Sequence, residues 1–141
     1  MHPRSLRLRL LLFCGISGLC AIMAQGQNMR HIDSLRRALS RLPGEKQFEV
    51  LNTIGFEYRY SYPDSTIFYC KRAYDLGSRT HIPKMLARPL SFIGLAITNQ
   101  GDYKSALDYH NRSIEVALEQ KDSIQLAHGY NNVGRILFDQ G

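Results

Sequence analysis

The chain of 141 residues has 18 basic and 12 acidic side chains, a hydrophobic content of 44% and a formal net charge of +6. That length is one domain or part of one, the apolar fraction permits a packed core, and no low-complexity tract interrupts it. Arg4, Arg7 and Arg9 cluster at the start, and without these three positive charges the +6 falls to +3. The remaining basic residues are interleaved with acids, as with Arg59 near Glu57 and Arg112 near Glu115, which describes a solvated helical surface and excludes a nucleic-acid stripe.

Behind those three arginines lies Leu10–Met23, an apolar run broken by Gly15 and Gly18. It is shorter than the roughly 20 residues that span a bilayer, so it fits a signal peptide ending at Ala24 (residues 1–24). Cleavage after Ala24 puts Ile22 and Ala24 at the −3 and −1 positions; cleavage after Gly26 is the alternative, as is an uncleaved anchor. Neither Cys14 nor Cys20 follows the small residue that lipidation wants. The chain is therefore expected to be exported, to the periplasm or the cell exterior, and to be membrane-attached if it is part of a longer protein. Cys70 is then the single cysteine left and no internal disulfide can form.

Residues 25–44 are expected to hold a leading helix, Met29–Leu42, with Ile32, Leu35, Leu39 and Leu42 on one face and Pro43-Gly44 ending it. Residues 45–82 read as a helix pair. The first helix, Glu45–Tyr60, presents Phe48, Leu51, Ile54, Gly55 and Tyr58. A turn at Ser61-Tyr62-Pro63-Asp64 leads to the second, Asp64–Arg79, with Ile67, Tyr69, Cys70, Ala73 and Leu76 apolar. Residues 83–121 repeat the arrangement. A helix from about Pro83 to Gln100 contains Pro89, which should kink it or move its start toward Arg88. Asn99-Gln100-Gly101-Asp102 is a turn, and a second helix runs from Asp102 to Gln120. Asp122 or Ser123 then caps a helix over Ile124–Gln140, within residues 122–141.

The pairs share one frame. Leu51-x-x-Ile54-Gly55-x-x-Tyr58 recurs as Leu90-x-x-Ile93-Gly94-x-x-Ile97 and as Tyr130-x-x-Val133-Gly134-x-x-Leu137. The glycines recur about 40 residues apart, as do Thr66 and Ala106, and a period in that range signals a solenoid of helical pairs. A glycine inside a helix costs about 1 kcal/mol relative to alanine. Gly55, Gly94 and Gly134 therefore imply close helix packing, with Ala73 and Ala106 as small residues on the facing helices.

Over residues 45–141 this frame resembles the tetratricopeptide family: a large apolar residue, then apolar-Gly and a further large residue on the first helix, small and aromatic residues on the second. The expected fold is all-α, an antiparallel helix-pair solenoid. The period exceeds the family's usual repeat of about 34 residues, and Cys70 and His110 stand where the family puts a core aromatic. The resemblance implies a non-catalytic scaffold binding a protein or peptide segment on its concave face, where the first helices expose residues counted from the glycines. These are Asn52, Phe56 and Arg59, then Ser91, Leu95 and Thr98, then Asn131, Arg135 and Phe138. The lysine–asparagine clamp of chaperone-tail receptors is not matched, since no lysine accompanies Asn52, Ser91 and Asn131. A signal, a leading helix and such repeats also resemble the sensory region of membrane-bound histidine kinases and transcriptional regulators, which is the alternative reading.

No metal, cofactor or small-molecule substrate is expected. His31, His81, His110 and His128 have no partner at zinc-ligand spacing, and the sequence contains no His-Glu-x-x-His, Gly-x-Ser-x-Gly or phosphate-loop motif. Cys70 and His110 could form a nucleophile and base, but their matching positions in successive repeats favour packing. Val133, Ile136 and Leu137 are expected to lack a partner helix, so that a dimer partner or further repeats would cover them.

Overall fold

The computed structural model describes residues 29–80 and 85–141. The expected signal peptide and the restart at His81-Ile82-Pro83 lie outside the described residues. Two compact units are divided after Ser34. In the first, residues 29–34 are helical. In the second, residues 35–38 are helical and Leu39–Arg41 form a tighter 3-10 turn, so the α-helix expected to reach Leu42 gives way sooner. Five further helices follow: α1 (Gly44–Tyr58), α2 (Pro63–Arg79), α3 (Ala87–Asn99), α4 (Tyr103–Gln120) and α5 (Ser123–Gln140). The protein is all-α, with no strand among the described residues.

Local chemistry sets the helix ends. Pro63 occupies the first position of α2, where the missing N–H is no loss. Pro89 lies in the first turn of α3, where it interrupts no backbone hydrogen bond. The helix therefore begins at Ala87 rather than kinking. Gly101, at φ +84°, turns the chain after α3, and its N–H donates to the Thr98 carbonyl at 3.0 Å. The Asp102 carboxylate then accepts the Ser105 N–H at 3.1 Å and caps α4, and hydrogen bonding from the Ser105 side chain, with this backbone bond, holds its pKa below the ordinary value. Asp122 caps α5 in the same way through the N–H groups of Ile124 and Gln125.

Each helix packs on its successor, and α1 also meets α3 as α3 meets α5. Phe48, Leu51, Ile54 and Tyr58 of α1 are buried with Tyr69, Cys70 and Ala73 of α2. Leu90, Ile93 and Ala96 of α3 are buried, as are Ala106, His110, Ile114 and Ala117 of α4. A fully buried side chain of Leu, Ile or Phe size stabilises by about 1.5–3 kcal/mol, so these stripes hold the helices together.

The glycine frame has a direct steric cause in the first two copies. A Cβ on Gly55 would collide with Cys70 Sγ, and one on Gly94 would lie 2.7 Å from Cε1 of His110. Each glycine thus seats a side chain of the following helix, Cys70 in the first copy and His110 in the second. The third copy departs from the expectation. Gly134 is exposed and a Cβ there would meet nothing within 4 Å, because among the described residues no helix lies against that face. The close approach of α5 to α4 is made by Gly129 against the Ile114 side chain instead. Tyr130 and Leu137 are 57% and 56% exposed, whereas Ile136 is fully buried and does not belong to the open stripe.

Hydrogen bonds tie corresponding parts of successive pairs. Asn99 Nδ2 donates to the Arg59 carbonyl at 3.0 Å, and Gln100 Nε2 donates to Asp64 Oδ1 at 2.8 Å. Buried Ser113 donates to the Ala87 carbonyl at 2.7 Å, fixing α4 on the start of α3.

Candidate binding groove

Helices α1, α3 and α5 are the first helices of the three sequence copies, and together they line a cavity of about 560 Å³. That volume is within the usual range of ligand sites. Asn52, Thr53, Phe56, Arg59 and Tyr60 come from α1 and the turn after it. Arg88, Ser91, Phe92 and Leu95 come from α3, and Gln125, His128, Asn131, Asn132 and Arg135 from α5. They meet because positions three or four apart share one helix face, and the three helices repeat that face.

Seven of the nine residues singled out from the sequence border this cavity: Asn52, Phe56, Arg59, Ser91, Leu95, Asn131 and Arg135. Thr98 and Phe138 do not. Thr98 is buried, and its hydroxyl donates to the Gly94 carbonyl at 2.8 Å. The two exposed residues after it, Asn99 and Gln100, bond to Arg59 and Asp64 of the first pair. Phe138 is 86% exposed on the last turn of α5, away from the cavity.

Sequence counting missed Thr53, Phe92 and Asn132, each two positions before its glycine, and Arg88 and His128, six before theirs. Both sets extend the same helical face, one position sideways and one turn back, so the periodicity contained them. Asn132 Nδ2 stands 3.5 Å from Ser91 Oγ, a long contact joining α5 to α3. Tyr60 and Gln125 carried no such signal.

The cavity walls are chemically uneven. Phe56 and Phe92 pack ring against ring at 5.3 Å between centroids, forming an apolar ledge beside Leu95. The Arg59 guanidinium lies 3.4 Å from the Phe56 centroid and 4.5 Å from that of Tyr60, and its Nη1 donates to the Phe56 carbonyl. Cation–π attraction therefore fixes this arginine on the rim. Asn52 is only 4% exposed; its Nδ2 donates to the Phe48 carbonyl at 3.2 Å, which fixes the amide orientation and leaves Oδ1 without a hydrogen-bond partner. A buried acceptor left unpaired is unfavourable unless a ligand or water supplies a donor.

Cys70 and His110 are both buried in helix packing, away from the cavity lining. Burial pushes the Cys70 thiol up to about 12, so thiolate is scarce at neutral pH. Burial also lowers His110 to about 4, helped by the nearby positive charge of Arg135, and neither ring nitrogen has a hydrogen-bond partner. Among the described residues no group of three His, Cys, Asp or Glu side chains could hold a metal ion, and no helix is long and apolar enough to cross a membrane. Comparison of the chain with protein-family models, with curated proteins and with solved structures finds no match to any of them.

Proposed function

We propose that the chain is an exported, non-catalytic interaction scaffold, a tetratricopeptide-like helix-pair solenoid that holds a peptide or protein segment in the groove formed by α1, α3 and α5. One observation carries the reading. Residues at repeated positions of three helices, spaced as the glycine frame demands, converge on a single cavity with an apolar ledge and a buried unpaired acceptor. A peptide offers what such a surface lacks, namely backbone N–H donors for Asn52 and side chains for the Phe56–Phe92 ledge.

The test is photocrosslinking in the native cell, with a benzophenone amino acid placed at Leu95 and, as control, at exposed Ser78 on α2. A discrete adduct from Leu95, absent from Ser78 and abolished by Phe92→Asp, is the expected outcome. Identical patterns from both positions would overturn the groove as the binding surface. Fractionation of the same cells tests export, since a product retained in the cytoplasm with Met1–Ala24 intact contradicts it.

A further inference from the structure

The groove carries a charge pattern that selects among peptides. None of its lining residues is acidic, whereas Arg59 from the end cap of α1, Arg88 from α3 and Arg135 from α5 are basic. Arg59 is already held by aromatic rings and a carbonyl. Arg88 and Arg135 are exposed, and among the described residues no hydrogen bond or ion pair engages either one. Arg88 also lies in the first turn of α3, where the helix dipole adds positive potential. The chain's acidic residues lie elsewhere, so nothing in the groove neutralises these guanidinium groups. Arginine recognises carboxylates through paired N–H donors, and a concave site lined by one sign of charge concentrates the opposite sign.

Resting on the groove reading above, we propose that the occupant is an acidic peptide segment. Two carboxylate side chains face Arg88 and Arg135, an apolar side chain lies on the Phe56–Phe92 ledge of the same cavity, and a backbone N–H satisfies Asn52 Oδ1. Three features together select this chemistry. The free arginines require anionic groups on the ligand, the aromatic ledge requires an apolar one, and the buried acceptor requires an N–H donor. A nucleic-acid strand supplies phosphates and bases, but the free arginines here are two discrete groups that share one cavity with an apolar ledge rather than a continuous basic track.

The experiment is selection of a random displayed-peptide library against the whole chain, with counter-selection against the Phe92→Asp variant. Selected peptides are then synthesised and measured by fluorescence polarisation. Peptides rich in Asp and Glu around one apolar residue are the expected outcome. Arg88→Gln and Arg135→Gln should each weaken their binding about tenfold, or about 1.4 kcal/mol, and higher salt should weaken it further. Arg79→Gln, outside the groove, should leave affinity unchanged, and circular dichroism would confirm that every variant is folded. Selected peptides that are neutral or basic, or equal binding after each Asp and Glu is replaced by Asn and Gln, would overturn the acidic preference while leaving the groove reading intact. No enrichment over the Phe92→Asp variant would overturn both. Displacement of the peptides by an oligothymidylate at equal affinity would assign the arginines to phosphate recognition instead.

Discussion

His110 offers a sharp test of the packing, because its imidazole is buried against Gly94 with both nitrogens unpaired. Burial, with the Arg135 charge adding to it, lowers its pKa from 6.5 to about 4. In the unfolded chain the ring takes up a proton near pH 6.5, whereas in the folded chain it resists until about pH 4. The folded state therefore keeps its full advantage above pH 6.5 and loses it as pH falls toward 4. Integrated over that window, the loss is about 3 kcal/mol, or a fall in Tm on the order of 10 °C for a domain of this size. Urea denaturation followed by circular dichroism at pH 7.5, 6.5, 5.5 and 4.5 measures it. His110→Leu, similar in volume, removes the titrating group and two unpaired nitrogens. That variant should be more stable at pH 7.5 by about 1 kcal/mol and should lack most of the acid slope. Arg135→Gln should keep the slope but reduce it, since an imidazolium is repelled less without that guanidinium. Equal slopes in wild type and His110→Leu would refute the reasoning, because other groups would then carry the acid sensitivity.

Individual contacts make further outcomes measurable. Gly94→Ala should destabilise by about 1–2 kcal/mol, the collision with His110 outweighing the gain in helix propensity, whereas Gly134→Ala should stabilise by about 0.5–1 kcal/mol because its Cβ meets nothing; thermal melts of the two variants should move in opposite directions. Lys121 adopts φ 55° at the end of α4, so Lys121→Gly should raise stability by about 1 kcal/mol in chemical denaturation. Cys70 should react with iodoacetamide at pH 8 only at the rate of unfolding. Because its thiol is raised to about 12, the contribution of burying it neutral is present below pH 9 and is lost as pH climbs toward 12; fast labelling of folded protein would contradict its placement.

The helices and their packed stripes were legible in the sequence because they follow from period, turn residues and caps. Pro63, Gly101, Asp102 and Asp122 each act within a few residues of the backbone groups they govern. The groove was legible in part for the same reason, since residues one helical turn apart share a face whatever the neighbouring helices do. Thr98 shows where that argument stops. It belongs to the same face by counting, but in the packed structure it is buried, and the exposed Asn99 and Gln100 beside it bond to Arg59 and Asp64 of the first pair.

What the sequence by itself determined is the set of helices, their repeated order and the residue types each presents, because local geometry and the glycine frame need no partner to be read. Only the tertiary structure decided that Gly55 and Gly94 seat Cys70 and His110 while Gly134 seats nothing. It likewise decided that Gly129 makes the close approach in the third copy, and that Arg88 and Arg135 stand, among the described residues, unpaired in a groove without acids. A side chain's role there depends on which helix lies against it. A periodic sequence repeats the residue, but the neighbour is supplied by the fold.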